Sequence, residues 1–195
     1  MISAFIPKKI KYTGSQLRPL WAYETFGLLG DSIVAFAGPC NIPFGNMIDA
    51  EDVRTKSKIY SSLMLHFIVE HFDIDLEKAV LKQRLLATII KSTLEEHIDY
   101  RLNRIGDDIY DAKIKQDAQR PTHNAKLSIS IATASPVSTL IHFALNIDSK
   151  HTPVLAAGLK DYGINPKEFA TRVMQAYTEE MLSVKNARQK VYPST

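Results

Sequence analysis

The stretch from Arg120 to Ile147, RPTHNAKLSISIATASPVSTLIHFALNI, constrains the fold of this chain more than any other. After a polar, Pro-containing approach, Lys126-Leu-Ser-Ile-Ser-Ile-Ala-Thr alternates apolar with small polar residues at period two, which predicts a strand with one buried face. Ser135-Pro136 marks a turn, because Pro fixes its own φ and biases the residue before it away from helix. Val137 to Ile147 is a second strand-like run, rich in Ile, Leu, Phe and Thr and broken only by His142 and Asn146. The two runs predict a β-hairpin in which one lysine opens the first strand and one His and one Asn sit on the second.

The flanking chain supplies elements to pack on that hairpin. Phe5-Ile6 and Ile10 around Pro7 suit a short edge strand within Ile2–Tyr12, where Pro is tolerated. Ser15 is an N-cap candidate for a helix carrying Leu17, Leu20, Trp21, Glu24 and Leu28, which Gly27 or Gly30 ends. Asp31 to Ala37 predicts a strand halted by Gly38-Pro39, and Cys40 to Ser57 a polar, acidic loop of a length that is more often functional than idle. Ile59 to Phe72 fits helix and strand periods alike. Asp75 caps a long amphipathic helix running to Leu94, and Asn165-Pro166 starts a closing helix with Phe169, Val173, Tyr177 and Met181 as its stripe. Leu102 to Tyr110 suits a strand interrupted at Gly106-Asp107-Asp108, and Asp111 to Asn124 an exposed connection.

With 195 residues, the chain can bury one sizeable core, and we expect a single domain over 1–195. Its 45% hydrophobic and 23% charged residues are ordinary for a soluble globular protein. A formal net charge of +3 is too slight to imply nucleic acid, and no basic face interleaved with aromatics supports one. The single cysteine, Cys40, fits a reducing compartment, and no run approaches the roughly 20 apolar residues of a membrane helix. The expectation is a cytoplasmic protein. Neither His66, His71, His97, His123, His142 nor His151 makes a helical i, i+4 pair or has a Cys partner, so no metal site is expected. Asp107-Asp108 is expected to be a turn rather than a Mg²⁺ site.

A Lys opening a strand, a turn, and then His-x-Ala-Leu-Asn-Ile resembles the corresponding segment of biotin and lipoate protein ligases and octanoyl transferases. The whole chain also resembles a family of uncharacterised archaeal and bacterial proteins, notably in Gly14-Ser-Gln-Leu, Leu20-Trp-Ala-Tyr-Glu, Gly30-Asp-Ser-Ile-Val and Gly38-Pro-Cys. The ligase resemblance implies an α+β fold, a mostly antiparallel sheet flanked by helices near Leu17–Phe26, Leu76–Leu94 and Pro166–Val184, related to the class II synthetase fold. It also favours a strand over Ile59–Phe72.

By the same resemblance, Lys126 holds the carbonyl of the transferred acyl group, where a fixed cation stabilises the oxyanion formed on attack. His142 and Asn146 become pocket residues, and Arg120 and His123 could orient a carboxylate or phosphate. Cys40 is a candidate nucleophile, because some related transferases pass the acyl group through a cysteine thioester; theirs follows the Lys strand, whereas Cys40 precedes it. Each has a plainer reading: solvated strand-end lysine, core histidine, strand-end amide, loop polarity, small buried thiol. Biotin ligases carry a Gly- and Arg-rich phosphate loop that nothing in Phe36–Ser57 reproduces, so either ATP with Mg²⁺ or an acyl thioester remains open as the activated donor. The expected function is a transferase or ligase for a lipoyl, octanoyl or biotinyl group, with an acceptor protein domain as partner. The alternative is a non-catalytic small-molecule or protein-binding domain on the same scaffold, with a homodimer as its candidate assembly.

Overall fold

A computed structural model of the chain describes residues 1–114, 124–150, 152 and 154–194. Five strands form the main sheet: β1 (Ile2–Ile6), β2 (Ser32–Asn41), β3 (Tyr60–His71), β7 (Ser128–Ala134) and β8 (Thr139–Asp148), in the order β1-β2-β3-β8-β7. All neighbours are antiparallel except the edge pair β1·β2, which is parallel. A smaller sheet joins β4 (Asn103–Ile105), β5 (Asp108–Asp111) and β6 (Ala125–Lys126). The helices are α1 (Trp21–Phe26), α2 (Ala50–Thr55), α3 (Leu76–Glu95) and α4 (Pro166–Gln189). This is the α+β, largely antiparallel architecture that the sequence predicts.

Period two gives the main sheet two chemically distinct faces. On one, Ile141, Phe143, Leu145 and Ile147 of β8 and Leu65, Phe67 and Val69 of β3 meet Leu86, Ile90 and Leu94 of α3 and Phe169, Val173 and Tyr177 of α4. Asp75 caps α3 by accepting the Lys78 amide, and Asn165 caps α4, both as expected. On the other face, Met64, Ile68 and Ala144 pack under Tyr12, Trp21 and Ala22 from the N-terminal segment. The apolar alternation of β7 points here too: Ile129 and Ile131 are only half-buried because they line a cavity on this side.

Several local expectations change. Ser15 does not cap α1: the helix starts at Trp21 behind Leu20, whose φ of 61° is left-handed and whose amide is held by the buried Glu70 carboxylate at 3.0 and 3.1 Å. A carboxylate brought from β3 does the work that a local cap would otherwise do. Strand β2 is not halted by Gly38-Pro39 but runs on to Asn41 through a bulge, where Tyr12 bridges to Cys40. Gly38 is required there because a Cβ would collide with the Ile10 carbonyl as the N-terminal segment crosses over. The loop predicted over Cys40–Ser57 contains a 3₁₀ turn at Phe44–Asn46 and α2, capped by Asp49. The ambiguous Ile59–Phe72 segment is a strand, β3, buried along nearly its whole length. Lys126 belongs not to the hairpin strand β7 but to β6, one residue before it, pairing with Tyr110 of β5.

Candidate functional site

A cavity of about 550 Å³ opens on the face of the main sheet away from α3 and α4. Its floor is β8 and β3; Tyr12 and Ile42 form one wall, the Met47–Asp52 segment another, and the small sheet brings Asp107, Asp108 and Lys126 to the mouth. The β8 side chains that reach it are those out of phase with the helix-facing core, His142 and Asn146.

Lys126 is half-buried, and its Nζ donates to Asp108 Oδ2 at 2.7 Å. Asp108 sits just after the tight turn that Gly106, with φ 65°, allows between β4 and β5. The Gly106-Asp107-Asp108 sequence is therefore a turn, as expected, and Asp107 binds Arg84 Nη1 at 2.8 Å and accepts from Gln83 Nε2 at 2.9 Å. Burial, the leading cause, holds the Asp107 pKa above its ordinary value. Among the described residues, no group of three or more His, Cys, Asp or Glu is arranged to hold a metal.

Asn146 is buried and tied on both sides. Its Oδ1 accepts from Ser61 Oγ at 3.0 Å, and its Nδ2 donates to the Lys126 carbonyl at 3.4 Å. The Asn146 amide N–H also donates to the Leu127 carbonyl at 2.9 Å, so β8 and the Lys126 segment are fastened at this point. The structure thus brings Lys126 and Asn146 together, although they lie on different sheets.

His142 lies deeper. Its Nε2 is 3.0 Å from Nδ1 of His66 on β3, whose Nε2 donates to the Gly38 carbonyl at 3.2 Å. Tyr12 stacks on the His142 ring with centroids 3.7 Å apart and an interplanar angle of 14°, and Phe36 stacks on His66. Burial lowers both histidine pKa values, that of His66 to about 4, so both rings are neutral near pH 7. His66 is absent from the motif-based set of site residues because nothing in its local sequence, Met64-Leu-His-Phe, distinguishes it from a core histidine. Tyr12 was equally hidden, reaching the site only because its segment folds back over β2.

Cys40, expected as a candidate nucleophile, is a core residue instead. Its side chain is 0% exposed, it does not line the cavity, and burial pushes its thiol up to about 12, which denies it both access and thiolate character. Arg120 and His123 lie outside the described residues.

The charge of the lining is informative. Asp49, Glu51, Asp52, Asp107 and Asp108 contribute five carboxylates, while Lys58 and Lys126 contribute two ammonium groups. A naked polyphosphate would meet net repulsion here. No helix among the described residues is long and apolar enough to cross a membrane.

Comparisons with known proteins agree with this architecture. The chain matches the family model described as a domain of unknown function, DUF366, over residues 1–192. An uncharacterized protein of Methanocaldococcus jannaschii is 35% identical over 198 residues, covering 97% of this chain and 83% of the relative. A solved protein of unknown function from Pyrococcus horikoshi superposes with a TM-score of 0.88 at 38% identity, covering 99% of this chain and 98% of that one. The biotin protein ligase of Aquifex aeolicus in complex with biotin and ATP matches with a TM-score of 0.59 at 13% identity, over 94% of this chain and 72% of the ligase. A putative lipoate protein ligase from T. acidophilum with bound lipoic acid gives 0.53 at 14%, over 93% and 86%. These last two likenesses concern the fold. The chain belongs to the DUF366 family of proteins of unknown function, built on the fold of the biotin and lipoate protein ligases.

Proposed function

We propose that this protein binds a carboxylate-bearing acyl cofactor of the biotinyl, lipoyl or octanoyl class in the cavity between β8 and the small sheet, and transfers its acyl group to an acceptor. The observation that carries this reading is the convergence of Lys126, from β6, with Asn146 and His142, from β8, on one cavity of about 550 Å³, a size suited to a small molecule. Asp108 holds the Lys126 ammonium at the cavity mouth, where it can donate to the acyl carbonyl and stabilise the oxyanion formed as an acceptor amine attacks. Asn146 fixes the Lys126 backbone and so the position of that cation.

The acid-rich lining favours an acyl thioester, or ATP only as its Mg²⁺ complex, as the activated donor. With a thioester, attack of the amine on the acyl carbon forms the C–N bond as the C–S bond breaks, and the leaving thiolate takes up the proton released by the amine. We place this chemistry in the cytoplasm, consistent with a lone buried thiol.

A second reading, a binding domain without turnover, is favoured by one specific observation: the Lys126 ammonium is already neutralised by Asp108, and Cys40 is sealed in the core. A thermal-shift panel separates the possibilities. Biotin, lipoate, octanoate and an octanoyl thioester, each with and without Mg-ATP, are added to the wild type and to Lys126→Ala. A ligand at about 100 times its Kd stabilises the fold by about 2.7 kcal/mol, and Lys126→Ala abolishes that shift. A shift that survives the substitution removes Lys126 from the site. Binding without acyl transfer to any lysine-bearing acceptor leaves the binding-domain reading, and no shift with any compound ends the acyl-cofactor reading.

A further inference from the structure

The two buried histidines can carry their protons in only one way. The Gly38 carbonyl only accepts, so the His66 nitrogen facing it, Nε2, bears the hydrogen, and a neutral His66 has a bare Nδ1. The contact from His66 Nδ1 to His142 Nε2, at 3.0 Å, then requires the hydrogen on His142 Nε2. A neutral His142 is left with a lone pair on Nδ1. The alternative, a doubly protonated His142, would place a cation on a residue 2% exposed, with the His66 ring rather than a carboxylate at its Nε2.

This Nδ1 has no hydrogen-bond partner among the described residues. Nor is it sealed: there, the unpartnered side-chain atoms closed off from solvent are Ser32 Oγ and Thr178 Oγ1. The space available to it is the cavity, which His142 lines. Tyr12, stacked on the ring at 3.7 Å, holds its plane fixed, so the acceptor is immobilised as well as buried. An oriented, buried acceptor rewards a donor and penalises a ligand that leaves it bare.

From this we infer that His142 Nδ1 is a specificity determinant, and that the ligand carries an N–H or O–H donor on the head group at the inner end of the cavity. This deepens the acyl-cofactor reading and rests on it. His142 and Asn146 are four residues apart on β8, about 13 Å along an extended strand, and Asn146 marks the Lys126 end. The ligand accordingly has its carboxyl group at Lys126 and, roughly that distance away, a ring or chain end bearing a urea, amide or hydroxyl donor. A plain fatty-acyl or dithiolane end has no such hydrogen to offer.

The test compares four probes by calorimetric titration: biotin and desthiobiotin, whose cyclic urea supplies N–H donors, and lipoate and octanoate, which have none beyond the carboxyl group. The expected result is binding of the urea pair at least about tenfold tighter than the other pair. His142→Phe, which keeps a ring stacked on Tyr12 but removes the acceptor, narrows that preference by weakening biotin and desthiobiotin binding more than lipoate and octanoate binding. Lipoate or octanoate binding as tightly as biotin overturns the inference and leaves the acyl-cofactor reading standing; binding of none of the four overturns that reading and this head-group assignment with it. A readout independent of any ligand is the ¹⁵N NMR spectrum of the histidine rings. Nδ1 of His142 resonates as an unprotonated imine nitrogen and Nε2 as a protonated one, and the reverse pattern overturns the inference.

Discussion

The two faces of the main sheet are built from the same strands and differ in how they satisfy their buried groups. Along β8, Ile141, Phe143, Leu145 and Ile147 point at α3 and α4 and form a sealed apolar layer. The residues between them, His142, Ala144 and Asn146, point the other way, and two of these three are polar and line a cavity. Both sets are buried, so exposure does not tell them apart. They differ in how their buried groups are satisfied: the helix face by close packing, the cavity face by hydrogen bonds with His66, Ser61 and the Lys126 segment. Packing yields stability and leaves no room for a ligand, whereas a network with an unused acceptor leaves a place for one.

The largest expected effect lies on the packed face. Phe143→Ala removes a fully buried ring between β8 and the helices, and should cost about 3–5 kcal/mol in urea unfolding. A loss below about 1.5 kcal/mol would mean that this face is not the main support of the fold.

The next effect belongs to the histidine pair and depends on pH. His66, folded, titrates at about 4 against an ordinary value of 6.5. Between those values the unfolded chain binds a proton that the folded one does not, so this stability is intact above about 6.5 and is lost as the pH falls towards 4. For His66 alone the loss is roughly 3 kcal/mol by pH 4. Asp31, held at about 2 chiefly by its hydrogen bond with His71, loses its contribution only below its ordinary 3.8, so the windows are separate. Urea unfolding of His66→Phe at pH 7 and pH 5 should show a weaker pH dependence than the wild type; an unchanged slope would place the titrating groups elsewhere.

A smaller effect is expected at Glu70, on the cavity side of β3. Its carboxylate accepts from the Leu20 amide and, at 2.7 Å, from Ser138 Oγ. Glu70→Ala strands both donors and should cost about 1–3 kcal/mol in chemical unfolding, with α1 the first element to lose amide-exchange protection. Protection lost first in α3 instead would show that Glu70 does not anchor the N-terminal segment.

The smallest expected effect on stability is at Lys126. Its ion pair with Asp108 is partly exposed on both sides, so Lys126→Met should change the unfolding free energy by less than about 1 kcal/mol while removing ligand binding. A loss of several kcal/mol would mark Lys126 as a structural residue and erase the contrast between the packed face and the cavity face.

Much of this was legible in the chain. Period two over Lys126–Ile147, the caps at Asp75 and Asn165, and the stripes of α3 and α4 are local patterns, and each appears where the residues put it. The motif also pointed to Lys126, His142 and Asn146, and all three line one cavity. The failures share a cause. Ser15 lost its role as cap to Glu70, fifty residues beyond Leu20, and Gly38-Pro39 failed to stop β2 because the chain from Ile10 to Tyr12 crosses it. Cys40, a nucleophile only by the ligase resemblance, takes the plainer reading of a small buried thiol, because the N-terminal segment closes over it.

What the sequence by itself determined is therefore whatever depends on spacing along the chain: the elements, their apolar faces and the β7–β8 hairpin that ends the main sheet. Only the tertiary structure decided which sheet Lys126 joins, that His66 stands 3.0 Å from His142, and that Tyr12 covers them both. Those contacts join residues 76 apart between the two histidines, and farther still between Tyr12 and His142. Periodicity is fixed by the geometry of a single strand or helix, whereas a proton's place on a buried ring is fixed by which distant acceptor the fold sets beside it.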